Sequence, residues 1–193
     1  PFETGIIAWR LAKSTGAELE LQIHTDFLSP YFVRYSFLNW IRIQIAKFLL
    51  PRADHIRVVS ERIKKSLGGW SLKHPPEVRP IAVDLEQIIN SPIAVDLHQK
   101  YPQFRKIILM ASRLSPEKNI GLALEAMRLT DQDYGLIIVG SGPQKIQSAT
   151  NVIVEPWVDR STLFSYYKTA DLFLLTSWYE GYGMVLAEAA AAG

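Results

Sequence analysis

The second half of the sequence predicts a doubly wound α/β domain with a parallel sheet. Two observations carry that expectation. Short apolar runs at residues 107–110, 136–139, 152–154 and 171–175 alternate with helix-like segments at 116–129, 161–168 and Met184–Ala192. Strands of parallel sheets are covered on both faces, so they read as unbroken apolar runs and not as alternations. Loops rich in Gly, Ser and Pro follow the first, second and fourth runs, where ligands bind in such sheets, beyond the carboxyl ends of the strands. Four strands ending on a helix predict a domain that is cut short at its C-terminal side.

The front half reads as a mixture of short strands and helices. Leu19, Leu21 and Ile23 alternate with polar residues and predict a strand running into His24. Residues 37–50 predict a helix stopped by Pro51. Arg42, Gln44 and Lys47 make this helix too polar to span a bilayer, and it is read as packed on a sheet, with a position on a membrane surface as the alternative. Residues 55–59 predict a second strand, Ser60 a helix cap, and residues 78–83 a third strand. From Glu86 to Phe104 the periodicity is lost around Pro92 and Pro102. The expected organisation is a first domain over 1–90, a linker over 91–105, and a second domain over 106–193.

Composition sets the outer bounds. Nearly half of the 193 residues are apolar, enough for a sizeable core. The absence of cysteine excludes a disulfide framework and thiolate metal sites, and is compatible with a reducing cytoplasm. The net charge of +2 divides unevenly, with 14 Lys/Arg against 10 Asp/Glu up to Arg105 and 7 against 9 after it. The basic residues are dispersed, which disfavours a nucleic-acid surface. The sequence opens on Pro1, so its natural start is expected to lie upstream.

Three segments beyond predicted strand ends carry candidate chemistry. In Ser112-Arg113-Leu114-Ser115-Pro116-Glu117-Lys118-Asn119, Arg113 is placed in a loop and Lys118 in the first turn of the following helix. Two cations at a helix start suit a pyrophosphate, and they suit a solvated loop equally well. In Gly140-Ser141-Gly142-Pro143 the dinucleotide fingerprint fails, because Lys145 stands where a third small residue is needed. A glycine turn that admits a ligand is the better account, even though Glu155 imitates a ribose-binding acid. The third segment runs from Ser177 to Glu188, with Glu180 in a loop and Glu188 on an otherwise apolar helix where a charge needs a partner.

Taken together, residues 113–119, 140–143 and 180–188 resemble the three signature loops of the GT-B-fold glycosyltransferases of family four, in that family's order. Seven residues separate Glu180 from Glu188. His24-Thr25, Ala53-Asp54-His55-Ile56-Arg57-Val58-Val59-Ser60 and Ile81-Ala82-Val83-Asp84 resemble segments of the family's first domain, although the usual Asn-Gly before Val-Asp is replaced by Ile81-Ala82. The resemblance implies two Rossmann-like domains, both incomplete here, and a retaining, metal-independent transferase. A sugar would pass from a UDP- or GDP-type donor to a glycan, lipid or small-molecule acceptor. It also implies roles for residues. Arg113 and Lys118 would bind the diphosphate, and Glu180 the transferred sugar. The amides of Gly183, Met184 and Val185 would lie near sugar and phosphates, with Gly140 and Gly142 lining the donor site. Glu188 would bind the ribose, and His24 would face the sugar from the other domain. No cofactor is expected beyond the nucleotide-sugar substrate.

Other signals are discounted. Asp131-Gln132-Asp133 precedes its strand and is read as a turn, not as a metal-binding pair. His24, His55, His74 and His98 lack a metal-ligand spacing. Trp157 is read as a packing residue, whereas Trp178 and Tyr179 are left between stacking and packing. The expected location is the cytoplasm, with peripheral contact at the inner face of the membrane as an extension. The competing reading is a nucleotide-sugar-binding module without catalysis, acting in regulation or assembly.

Overall fold

A computed structural model describes residues 2–147 and 149–193, and these divide into two compact units. The first comprises the residues up to Ala82 together with Tyr179–Tyr182. The second comprises Val83–Trp178 and Gly183–Gly193.

In the first unit, β1 (Glu20–Ile23), β2 (His55–Val58) and β3 (Glu77–Val78) form a parallel sheet in that order. The alternation that predicted β1 is the observed pattern, with Leu21 and Ile23 buried and Glu20 and Gln22 exposed. β3 is shorter than the expected 78–83, since Pro80 has no N–H to continue the ladder. Helices α1 (Glu3–Thr15), α2 (Pro30–Arg34), α3 (Phe37–Leu49) and α4 (Glu61–Ser66) complete the unit. Serines cap three of them, and Ser60 Oγ accepts the Ile63 amide at 3.4 Å as its position before α4 predicts. α3 gives way to a single 3₁₀ turn containing Pro51.

The second unit begins with two short helices inside the stretch that had looked aperiodic. They are α5 (Leu85–Asn90) and α6 (Leu97–Lys100), capped by the carboxylates of Asp84 and Asp96. Each buries a single large apolar anchor, Ile88 or Leu97, so neither is long enough to display a period. The sheet follows, with β4 (Lys106–Ala111), β5 (Tyr134–Val139), β6 (Val152–Glu155) and β7 (Leu172–Phe173). Its order is β6-β5-β4-β7 and every pairing is parallel, as the apolar runs predict. Ile107, Leu109 and Ile137 pack into one cluster and Met110, Leu136 and Ile138 into another, so both faces are covered. Each of these buried side chains contributes about 1.5–3 kcal/mol of transfer free energy. The remaining helices are α7 (Ile120–Met127), α8 (Arg160–Thr169) and α9 (Met184–Ala192).

The expected helix over 116–129 is broken near its start. Pro116–Lys118 form a 3₁₀ turn, Asn119 adopts φ 49°, and α7 begins after it. Asparagine tolerates this left-handed conformation better than most residues, so the break sits where the sequence permits it.

Glu155, at the end of β6, is a structural residue. Its carboxylate accepts bonds from Lys100 Nζ (2.8 Å), from the Tyr166 hydroxyl (2.8 Å) and from the Tyr101 hydroxyl. Burial pushes the carboxyl upward, but these three donors outweigh it and hold Glu155 below the usual glutamate range. Burial and the neighbouring carboxylate push the Tyr101 hydroxyl up to about 12. Because the folded-state value is depressed, the stabilisation is present above about pH 5 and is lost as pH falls through the folded value. Glu155→Gln should therefore cost about 2 kcal/mol near neutrality, and its deficit against the parent should shrink in acid-side thermal unfolding.

Candidate functional site

The loops that follow β4 and β5 interlock through their backbones. The Ser112 amide donates to the Val139 carbonyl (3.0 Å), the Leu114 amide to the Ser141 carbonyl (2.9 Å), and the Gln144 amide to the Leu114 carbonyl (3.0 Å). Two glycines make this approach possible. A Cβ on Gly140, whose φ is +149°, would stand 1.9 Å from the Ser112 oxygen, and one on Gly142 would stand 2.2 Å from the Leu114 oxygen. The glycine turn thus makes room for the Arg113 loop, a role that its sequence alone does not show.

Beyond these loops is a cavity of about 220 Å³. Ser112 and Arg113 line it from β4, Gly140 and Ser141 from β5, Trp157 from the turn after β6, and Val185 from α9. All belong to the second unit. Trp157 is 69% exposed, so the expectation that it packs inside the protein fails. The indole stands at the cavity with most of its surface open.

Around this cavity the predicted residues fall into distinct surroundings. Arg113 is exposed and its guanidinium lies 3.2 Å from the carboxylate of Glu117, which also accepts the Ser115 hydroxyl at 2.7 Å. Lys118 lies in the 3₁₀ turn and not in the first turn of α7. Its carbonyl and that of Asn119 each accept the Thr176 hydroxyl at 3.0 Å, which pins this turn to the segment after β7. The Trp178 amide adds a bond to the Glu117 carbonyl at 2.9 Å.

Gly183 precedes α9 at the cap position, has φ 77° and supplies no side-chain cap. Helix geometry leaves the first amides, those of Met184 and Val185, without intrahelical acceptors and at the positive end of the dipole. Glu188 is on the second turn of this helix and is 9% exposed. The partner demanded by a charge on that face is the Tyr167 hydroxyl of α8, which donates at 3.0 Å. Burial, reinforced by the Glu188 carboxylate, pushes the Tyr167 hydroxyl upward, so it remains a proton donor across the ordinary pH range.

His24 and Glu180 fall in the first unit. His24 follows β1, is exposed, and lies 3.4 Å from the Gln22 amide oxygen. The Glu180 carbonyl accepts a bond from Arg62, and Arg62 also pairs with the buried Asp26 at 2.6 Å. Gly181 lies so near the His24 carbonyl that a Cβ would stand 1.7 Å from it. Asp26 and Arg62 are not singled out by spacing in the sequence, and they fix the backbone beside two residues that are.

Among the described residues, no group of three or more His, Asp or Glu side chains is arranged to hold a metal ion. Asp133 of the Asp131-Gln132-Asp133 segment pairs with Arg105 at 2.5 Å, and the Tyr134 amide donates to the Asp131 carbonyl, so the segment is a turn.

Residues 97–193 match the model of the family described as glycosyl transferases group 1. Over its full length the chain is 28% identical to alpha-monoglucosyldiacylglycerol synthase of Streptococcus pneumoniae, and it spans 48% of that protein. Over 46% of its length it is 33% identical to an uncharacterized glycosyltransferase of Methanocaldococcus jannaschii, spanning 25% of it. Among solved structures, sucrose-phosphate synthase from Thermosynechococcus elongatus is similar over 98% of this chain and 52% of its own, with a TM-score of 0.81 and 24% identity. Anabaena HepE in complex with UDP and glucose gives a TM-score of 0.75 at 18% identity, over 98% of this chain and 55% of that one. The chain therefore spans about half the length of the pneumococcal, Thermosynechococcus and Anabaena proteins.

The interlock makes a paired prediction. Gly142→Ala should cost about 2 kcal/mol, since the Arg113 loop must shift to admit the methyl group. Gly121→Ala, in α7 with nothing within 4 Å of the added Cβ, should instead stabilise by about 0.5–1 kcal/mol. Thermal unfolding of the two variants distinguishes a steric requirement from general intolerance of alanine.

Proposed function

We propose, for a chain that belongs to the glycosyl transferases group 1 family and has the GT-B type of α/β fold, that the cavity beyond β4 and β5 receives a nucleoside-diphosphate sugar. The observation that carries this reading is the convergence at one end of one sheet of an open indole, a cationic loop and a helix N-terminus. Trp157 offers a face on which a base can stack. Arg113, Lys118 and the amides of Met184 and Val185 supply positive charge for the diphosphate. Glu188 has one oxygen engaged by Tyr167 and a second available to a ribose hydroxyl. Glu180 and His24 are assigned to the transferred sugar. Support for the donor class comes from the HepE structures, which contain UDP and glucose.

The proposed reaction breaks the bond between the anomeric carbon and the diphosphate oxygen. The acceptor hydroxyl bonds to that carbon on the same face, and its proton passes to the departing phosphate, so configuration is retained. Two cations and a helix N-terminus can neutralise the leaving diphosphate, and this supports a mechanism without a metal. The name of the pneumococcal relative supports a lipid acceptor over a soluble glycan. A cytoplasmic placement is part of the same proposal. The alternative, a binding module without turnover, shares the donor site and lacks transfer.

The test is a donor screen on the full-length protein by thermal shift and product formation. A UDP- or GDP-sugar should raise the unfolding temperature with or without a chelator. Lys118→Ala should lower the transfer rate by about 10²–10³-fold. Glu188→Gln should weaken the shift, and Tyr167→Phe should weaken it less. Binding without transfer to any lipid or glycan acceptor would favour the module. A folded protein that no nucleotide sugar stabilises would refute the assignment.

A further inference from the structure

Two consecutive tyrosines of α8 each hold a buried carboxylate, and the fold treats the two carboxylates differently. Successive helix residues point about 100° apart, so Tyr166 and Tyr167 reach different elements. Tyr166 donates to Glu155 at the end of β6 (2.8 Å), where Lys100 and Tyr101 donate as well. Tyr167 donates to Glu188 on α9 (3.0 Å), and among the described residues it is the one hydrogen-bond donor to that carboxylate. An ionised carboxylate offers about four acceptor positions, and unmet acceptors are costly in an interior. A charge that served packing alone would be saturated, as Glu155 is. Glu188 is equally buried and is left with acceptor capacity that only a further donor can fill.

The pair is placed by the two helices that begin at the cavity. Leu163 lines it near the start of α8 and Val185 near the start of α9. Tyr167 is four residues after Leu163 and Glu188 three after Val185, so each lies on the same helix face one turn deeper. Cα–Cβ bonds lean toward a helix N-terminus, which tilts both side chains back toward the cavity. Tyr167 is 4% exposed, and its ring meets Phe173 edge-on at 5.5 Å within an otherwise apolar cluster. The hydroxyl therefore has little room to leave the carboxylate. It engages Oε2 of Glu188 and leaves Oε1 as the acceptor for a ligand hydroxyl.

We propose that Tyr167 is the positioning residue that makes the donor site select a ribose, by fixing one oxygen of Glu188 and so presenting the other as a preorganised acceptor. This rests on the reading of the cavity as a nucleotide-sugar site and adds the group that sets its selectivity for the nucleoside. Without the hydroxyl, Glu188 must give up side-chain freedom each time it meets a ribose, whereas a nucleotide lacking the ribose hydroxyls does not bear that cost.

The test compares, on the full-length protein, binding of UDP and GDP with that of their 2′,3′-dideoxy counterparts. The parent should prefer the ribonucleotide by about 10–100-fold, the worth of hydrogen bonds to a charged group. Tyr167→Phe should cut that preference by about 3–10-fold through weaker binding of the ribonucleotide alone, and should raise the donor KM without changing kcat. Tyr166→Phe removes a similar bond from the same helix. It should lower the unfolding temperature, as Tyr167→Phe does, yet keep the preference. Combining Tyr167→Phe with Glu188→Gln should cost no more preference than Glu188→Gln alone, because the tyrosine acts through the carboxylate. A full preference in folded Tyr167→Phe, an equal loss in Tyr166→Phe, or additive losses in the double variant would overturn the inference while the donor site stands. A parent that binds both nucleotides equally would refute the ribose contact itself, and a parent that binds neither would refute the donor-site reading and this inference with it.

Discussion

In the second unit, the candidate site depends on how closely two backbones approach one another. β4 and β5 are paired in register up to Ala111 and Val139, and the loops beyond them continue the pairing without any strand geometry. The Ser112 and Leu114 carbonyls occupy the volume that side chains at 140 and 142 would fill. With glycine at both positions the Arg113 loop is held against the β5 loop, and a cavity opens between their residues and Trp157. Thr176 and Trp178 then brace the Lys118 turn from the other neighbour of β4, so the cationic segment is secured from both sides. The cost of concentrating positive charge in a loop is small where that loop stays exposed, as Arg113 does.

The sheet of the second unit was legible because β4 and β5 are long enough and apolar enough to leave no other reading, whereas β7 has only two residues of the expected run 171–175. The first unit was legible where alternation was strict, as in β1, and where a serine preceded a helix, as at Ser60. What escaped was short or tertiary in origin. α5 and α6 have one buried anchor each, below any detectable period. The break at Asn119 follows a sequence that otherwise reads as continuous helix. The purpose of Gly140 and Gly142 could not be read from the turn they form, because the atoms they admit come from a loop about 28 residues earlier. Trp157 reads as a packing residue because tryptophan usually packs, and its exposure beside the cavity shows otherwise.

Glu155 and Glu188 illustrate how alike two buried carboxylates can look in sequence. Both lie in apolar segments, Glu155 at the end of β6 and Glu188 in the middle of α9, and both find tyrosines of α8, Tyr166 and Tyr167 respectively. Glu155 is saturated by a lysine and two hydroxyls, which makes it a fixed structural charge. Glu188 shows one hydroxyl donor on one oxygen, so it keeps acceptor capacity for a ligand. The difference is in the number of donors that the fold brings to each, and no local pattern records it.

The most direct measurement is a crystal structure of the full-length protein with UDP or GDP bound, whichever stabilises it. The account predicts the base against the Trp157 indole, the diphosphate between the Arg113 loop and the amides of Met184 and Val185, and the ribose within hydrogen-bonding distance of Glu188. A nucleotide bound elsewhere, with the Gly140–Arg113 interlock intact and the cavity empty, would contradict it.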